Sequence, residues 1–262
     1  MPTERKAAAI VPARWASTRF PGKPLALIRG KPMVQWVVEK AKAASLISSV
    51  IVATDDRRIY DAVRAFGGEA AMTSGGHPTG TDRVAEVAAS LDCDIVVNVQ
   101  GDEPLIPPEN IDLAVQPLLK DPALKVSTLM MRIEDPEEIF NPNVVKVVVD
   151  DRGFALYFSR APIPFNRDGW SGVYPGKLDR LSKTGFHNAY KHIGLYAYAK
   201  SFLMEFSRLR PSSLETIERL EQLRILSNGI PIKATETRKS SVGVDCPEDL
   251  VKVERLLGEL VS

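Results

Sequence analysis

Short, uninterrupted apolar runs alternate with stretches of helical apolar spacing through the first half of this chain, and that alternation leaves few architectures open. Ala7–Pro12, Ser49–Thr54 and the Ile-Val-Val run inside Asp94–Gln100 read as buried strands. Between them, Pro32 stands at the first turn of a helix whose Met33, Val37, Ala41 and Ala44 recur at helical spacing. Arg57–Phe66 is a helix stopped by Gly67-Gly68, Glu69–Met72 a short strand, and Thr81–Leu91 the next helix. Pro107-Pro108 open a further helix ending near Asp121-Pro122, and Lys125–Ile133 returns as a strand. The expected class is α/β: a mixed, mainly parallel, Rossmann-like sheet with helices on both faces.

The pattern changes after Ile133. Asn143–Val149 and Phe154–Arg160 flank the turn composition Asp150-Asp151-Arg152-Gly153, which predicts a β hairpin suited to an arm or a dimer contact. Pro162–Asn188 is a long polar loop of the kind that carries function, Lys191–Tyr198 a strand, Leu214–Leu226 one amphipathic helix and Pro247–Leu257 a terminal helix. No Pro/Ser/Gly-rich or like-charge linker divides the 262 residues, so one domain over 1–262 is expected, with the hairpin and loop at about 140–195 as its elaboration.

Lys+Arg 34 against Asp+Glu 33 leaves a net charge of +1, so no global field recruits nucleic acid or an anionic membrane, and phosphate binding must come from local cations. Cys93 and Cys246 fit no metal spacing, and no run of about twenty apolar residues occurs; a soluble, reduced, cytoplasmic chain is expected.

The loop leaving the first strand gathers that local charge. Pro12-Ala13-Arg14-Trp15-Ala16-Ser17-Thr18-Arg19-Phe20-Pro21-Gly22-Lys23-Pro24 holds three cations and two hydroxyls at the carboxyl end of a strand, where open α/β sheets bind ligands. It matches neither GxxxxGK[ST] nor GxGxxG, which disfavours P-loop ATPases and dehydrogenases. Gln100-Gly101-Asp102-Glu103-Pro104 follows another strand, and Asp102 stands where a magnesium ligand belongs. Asp245, in Gly243-Val244-Asp245-Cys246-Pro247, is equally a second metal ligand or a cap for the helix at Pro247. Ser74–Arg83 is a glycine-rich connection in which Thr79 or Thr81 caps a helix, or in which the backbone approaches a flat base. Glu215, Glu218 and Gln222 fall near one face of the predicted helix, as a salt-bridged surface or a hydroxylated-substrate contact.

Together these residues resemble the 3-deoxy-manno-octulosonate cytidylyltransferase family, across almost the whole chain. The resemblance is carried in order by Ile10–Pro24, Ile51–Asp55, Gly80–Arg83, Asn98–Pro104, Asn141–Lys146, Ala155–Arg160, His192–Tyr196, Leu214-Glu215, Leu220–Arg224 and Gly243–Asp245. It implies a nucleotide-diphospho-sugar transferase fold with a β arm that makes a homodimer, and transfer of CMP from CTP to the anomeric hydroxyl of 3-deoxy-D-manno-octulosonate (KDO) with Mg2+, in lipopolysaccharide synthesis. It implies that Arg14, Arg19 and Lys23 hold the triphosphate beside Pro12 and Ala13, and that Ser74, Gly80, Thr81 and Arg83 lie at the cytidine, with Gln100 between nucleotide and sugar. Asp102 and Asp245 would bind the metal and, with Arg14 and Lys23, serve catalysis. Arg160, His192, Tyr196, Glu215 and Gln222 would line the sugar pocket. Phe165–Thr184 departs from the family pattern. Another ulosonic acid, such as 8-amino-KDO or a sialic acid, and a non-catalytic nucleotide-binding module are the competing readings.

Overall fold

The structure, a computed structural model, describes residues 5–16, 20–77, 79–170 and 189–259. Its strands are β1 (Ala7–Ala13), β2 (Leu27–Ile28), β3 (Lys31–Pro32), β4 (Ile47–Thr54), β5 (Glu69–Met72), β6 (Ile95–Asn98), β7 (Val126–Arg132), β8 (Lys146–Val149), β9 (Ala155–Ser159), β10 (Tyr190–Ala199) and β11 (Ile232–Glu236). The helices are α1 (Met33–Lys42), α2 (Arg57–Ala65), α3 (Gly80–Ala89), α4 (Pro108–Lys120), α5 (Pro136–Phe140), α6 (Arg167–Trp170), α7 (Lys200–Phe206), α8 (Ser213–Glu218), α9 (Gln222–Ser227) and α10 (Pro247–Glu259).

The main sheet runs β11-β7-β10-β6-β1-β4-β5. β6, β1, β4 and β5 are mutually parallel, as are β11 and β7, while β10 lies antiparallel between β6 and β7. Ala8, Ala9, Ile10 and Val11 are all fully buried, and since successive strand residues point to opposite faces, both faces of β1 are covered. One cover is α1 packed with α4, the other α3 packed with α7. Each fully buried Val or Ile contributes about 1.5–3 kcal/mol, so these central strands are the most stable part of the frame on which the loops stand.

Two consequences place the site. With β1 between β6 and β4, the loops leaving β1, β5 and β6 open along one edge of the sheet. Because β10 runs the other way, its first half reaches that edge too: Tyr196 pairs with Asn98 at the end of β6, and His192 with Met130 of β7. The β10–β7 register slips between Ile193 and Tyr196, and such a slip re-aims the flanking side chains.

The hairpin expected from sequence forms, with Asp150 accepting the N–H groups of Arg152 and Phe154 across its turn. It is joined to the sheet: β8 pairs with β10, Phe154 bridges to Lys233 of β11, and Val147 and Phe158 are buried. The single helix expected over Leu214–Leu226 does not form. It breaks at Arg219, which takes the left-handed conformation (φ 53°, ψ 49°), and Leu220 N–H turns back to the Glu215 carbonyl. The cause is packing: α8 buries none of its residues and leaves Ile217 77% exposed, whereas Leu223 and Ile225 of α9 enter the core. The turn at Arg219 thus separates an exposed segment from one that packs inward. Among the described residues no helix is long and apolar enough to cross a membrane.

Candidate active site

The three loops meet at Pro12. A Cβ on Gly101 would sit 2.6 Å from the Pro12 carbonyl oxygen and one on Gly80 3.7 Å from the Pro12 ring, so the absence of a side chain at 101 lets the β6 loop lie on β1. The β1 loop returns through Gly22, whose φ of 72° favours glycine and whose N–H donates to Trp15 O at 3.0 Å. The Trp15 ring covers Gly22 on one side and carries the Arg58 guanidinium 3.4 Å from its centroid.

That turn delivers Lys23. Its Nζ donates to Asp102 Oδ2 at 2.6 Å and to the Val244 carbonyl at 2.9 Å, while Val244 N–H donates to the Asp102 carbonyl at 2.8 Å. Lys23, Asp102 and the Val244-Asp245 corner, distant in sequence, are thus one half-buried cluster. The N–H groups of Asp245 and Cys246 are both accepted by Asp249 Oδ2, at 2.8 and 3.0 Å. Next to Asp102, burial raises the Glu103 carboxyl to about 7, with the Asp102 charge acting in the same direction and Ser241 opposing. Among the described residues Arg14 Nη2 is buried without a hydrogen-bond partner, an arrangement that is costly unless an anion answers it. Among the described residues no three His, Cys, Asp or Glu side chains form a metal cage of their own. The Asp102 carboxylate on Lys23, with Asp245 next to the Val244 whose N–H binds the Asp102 carbonyl, would suit magnesium, which draws the rest of its shell from water and substrate phosphates. Arg19 lies outside the described residues.

In the β5–α3 loop, Thr79 caps α3, accepting from Asp82 N–H at 3.2 Å. Ser74 is exposed, its N–H held by Glu86 at 3.0 Å, and His77 pairs with the same carboxylate. Arg83 and Thr81 turn inward. Arg83 is fully buried and donates to Asp55 Oδ2 at 2.7 Å and to Thr73, tying the ends of β4 and β5 to α3. Thr81 donates to Glu221 Oε2 at 2.5 Å.

Across the cleft, Gln100 Nε2 reaches the Gly194 carbonyl at 3.4 Å. His192 Nε2 lies 3.0 Å from Thr128 Oγ1, and its ring stands edge-on to Phe158 and beside Tyr196, with centroids at 5.0 and 5.3 Å. Burial among these neighbours pushes the imidazole down to about 3. The Tyr196 hydroxyl is buried near Thr128, and burial raises it well above the usual phenol range. Arg160 donates from Nε to the Glu218 carbonyl at 2.8 Å and from Nη1 to the Pro142 carbonyl at 2.9 Å. Glu215 is engaged twice, in a capping box with Ser212 and in a bidentate pair with Arg224 at 2.8 and 2.5 Å. Gln222 is buried in the first turn of α9.

A cytidylyltransferase family model matches residues 8–237. A 3-deoxy-manno-octulosonate cytidylyltransferase from Geotalea daltonii is 57% identical, with 96% of this chain and 98% of that protein covered. The chain belongs to the 3-deoxy-manno-octulosonate cytidylyltransferase family. A member from Pelobacter propionicus is 56% identical over 93% of this chain and 94% of its own. The solved structure of CMP:2-keto-3-deoxy-manno-octonic acid synthetase complexed with CTP superimposes with a TM-score of 0.88, at 43% identity, covering 97% of this chain and 99% of that one.

Within this cytidylyltransferase fold the sequence-derived residues fall into two groups. Pro12, Ala13, Arg14, Lys23, Gly80, Gln100, Asp102 and Asp245 gather along the strand-end edge. Arg83 stands behind that surface as a brace, and Glu215 lies with Thr79, Glu221 and Arg224 around a cavity of about 470 Å3 on the α8–α9 side. Glu221, not singled out from the sequence, lines this cavity: one carboxylate oxygen takes Thr81, the other is buried, and burial raises its pKa.

Proposed function

We infer that this chain transfers CMP from CTP to the anomeric hydroxyl of KDO and releases pyrophosphate, with Mg2+ held by Asp102 and Asp245. The observation that carries the reading is the Lys23–Asp102–Val244 cluster, a cation and two carboxylate-bearing segments drawn together beneath a loop whose Arg14 awaits an anion. Magnesium, when bound, supplies charge neutralisation at the phosphate oxygens and acidity at the attacking hydroxyl.

The protein's own part is placement and charge. Arg14 and Lys23 answer the triphosphate; Lys23 now pairs with Asp102, and its ammonium would be available to phosphate oxygens if Asp102 held the metal. Gln100 stands between the β1 loop and β10, where nucleotide and sugar adjoin. Arg160 turns toward the sugar carboxylate. His192 is a poor general base, since an imidazole driven to about 3 has little proton affinity at neutral pH, so it serves as a neutral hydrogen-bonding wall. The exposed Leu156 on β9 and the family resemblance support a homodimer through the hairpin face, and the product serves lipopolysaccharide assembly in the cytoplasm.

Replacing Asp102 with Asn separates catalysis from binding. Turnover, read as pyrophosphate release, should fall about 10^3-fold while metal-free CTP binding changes little. Retained turnover would refute the metal role of Asp102.

A further inference from the structure

One buried cation takes no part in the chemistry described so far. Lys146, the first residue of β8, is fully enclosed, and a buried ammonium persists only where its protons are matched. All three are: Nζ donates to the carbonyl oxygens of Asn141, Val144 and Arg160 at 2.9, 2.6 and 2.7 Å. Carbonyl dipoles, and no carboxylate, complete this cage. Burial and then the charge of Arg160 bring the ammonium down to about 8, with Glu218 opposing.

The caged carbonyls belong to segments that build the acceptor side. The turn after α5 also offers Pro142 O to Arg160 Nη1 at 2.9 Å and Val145 O to His192 N–H at 2.8 Å. From the opposite side, Glu218 takes Arg160 Nε on its carbonyl at 2.8 Å, and on its carboxylate the Arg160 N–H at 2.9 Å and the Ser159 hydroxyl at 2.6 Å. The guanidinium is therefore aimed by two carbonyls, one of which stands on the turn that Lys146 stitches to Arg160's own backbone. A tetrahedral ammonium can converge three donors on three such oxygens; a planar guanidinium or an amide cannot.

We propose that Lys146 is a positioning residue of the acceptor pocket: it ties the 141–145 turn to the backbone of Arg160 and so fixes the direction in which the guanidinium meets the sugar carboxylate. Lys146 touches neither substrate. The proposal rests on the reading of an ulosonic acid as acceptor.

The test compares wild type, Lys146→Met and Pro142→Gly for KM with KDO, KM with CTP, kcat, and the thermal shift given by CTP. Misdirecting one charge-assisted hydrogen bond predicts a KM for KDO raised roughly tenfold in Lys146→Met, with KM for CTP within about twofold and the CTP thermal shift kept. Pro142→Gly, which loosens the same turn without emptying the cage, should raise KM for KDO about threefold and decides the matter if Lys146→Met does not fold. An equal loss for both substrates, or an unchanged KM for KDO in a folded variant, overturns the proposal. Failure of wild type to release pyrophosphate with KDO would instead overturn the acceptor assignment beneath it.

Discussion

On the nucleotide side of the cleft the chemistry stands on loops at the ends of parallel strands, whereas on the acceptor side it stands on buried and half-buried side chains of an antiparallel strand, a hairpin and a broken helix. The first side waits for its ligand: among the described residues Arg14 Nη2 has no partner, and Lys23 holds a carboxylate that a metal would claim. The second is largely satisfied by the protein itself, with Arg160 on two carbonyls, Glu215 on Arg224 and His192 on Thr128. Substitutions on the loops should therefore be felt in nucleotide handling, and substitutions on the buried network in stability and in the sugar KM.

The largest stability effect expected from this contrast lies at His192. Its folded pKa of about 3 lies below the ordinary value near 6.5, so the folded state refuses a proton that the unfolded chain accepts. That contribution is fully present above pH 6.5 and is lost as pH falls toward 3, a change of a few kcal/mol. Urea titrations across that range should show the loss in wild type and a flatter profile in His192→Gln; parallel profiles would remove the buried, neutral imidazole from the account.

A smaller effect is expected at Gly101. A methyl 2.6 Å from the Pro12 carbonyl must push the β6 loop off β1, at about 1–3 kcal/mol. Gly101→Ala should lower the melting temperature and raise KM for CTP more than KM for the sugar. If both rise alike, the two sides are not independently built.

The same contrast decides what was legible in the sequence. The strand-loop-helix units of the first half announce themselves because continuous burial and helical spacing are local signals, and the Pro12–Pro24 loop because its cations are contiguous. Helix α7 and strand β11 were not read from the sequence. The acceptor side depends on pairs such as Arg160–Glu218 and Lys146–Arg160, between residues whose proximity only the folded hairpin creates. The helix expected over Leu214–Leu226 failed for a related reason. Its apolar spacing was genuine, but whether a stripe is buried along its whole length is set by the surrounding fold, and here the chain turned at Arg219 to bring Glu221 inward.

Pyrophosphate release from CTP and Mg2+, measured in parallel with KDO, 8-amino-KDO and N-acetylneuraminate, tests the central claim most directly. Release with KDO well above that with the other two acids is the predicted result. No release with any of the three, or release with N-acetylneuraminate equal to that with KDO, would contradict it.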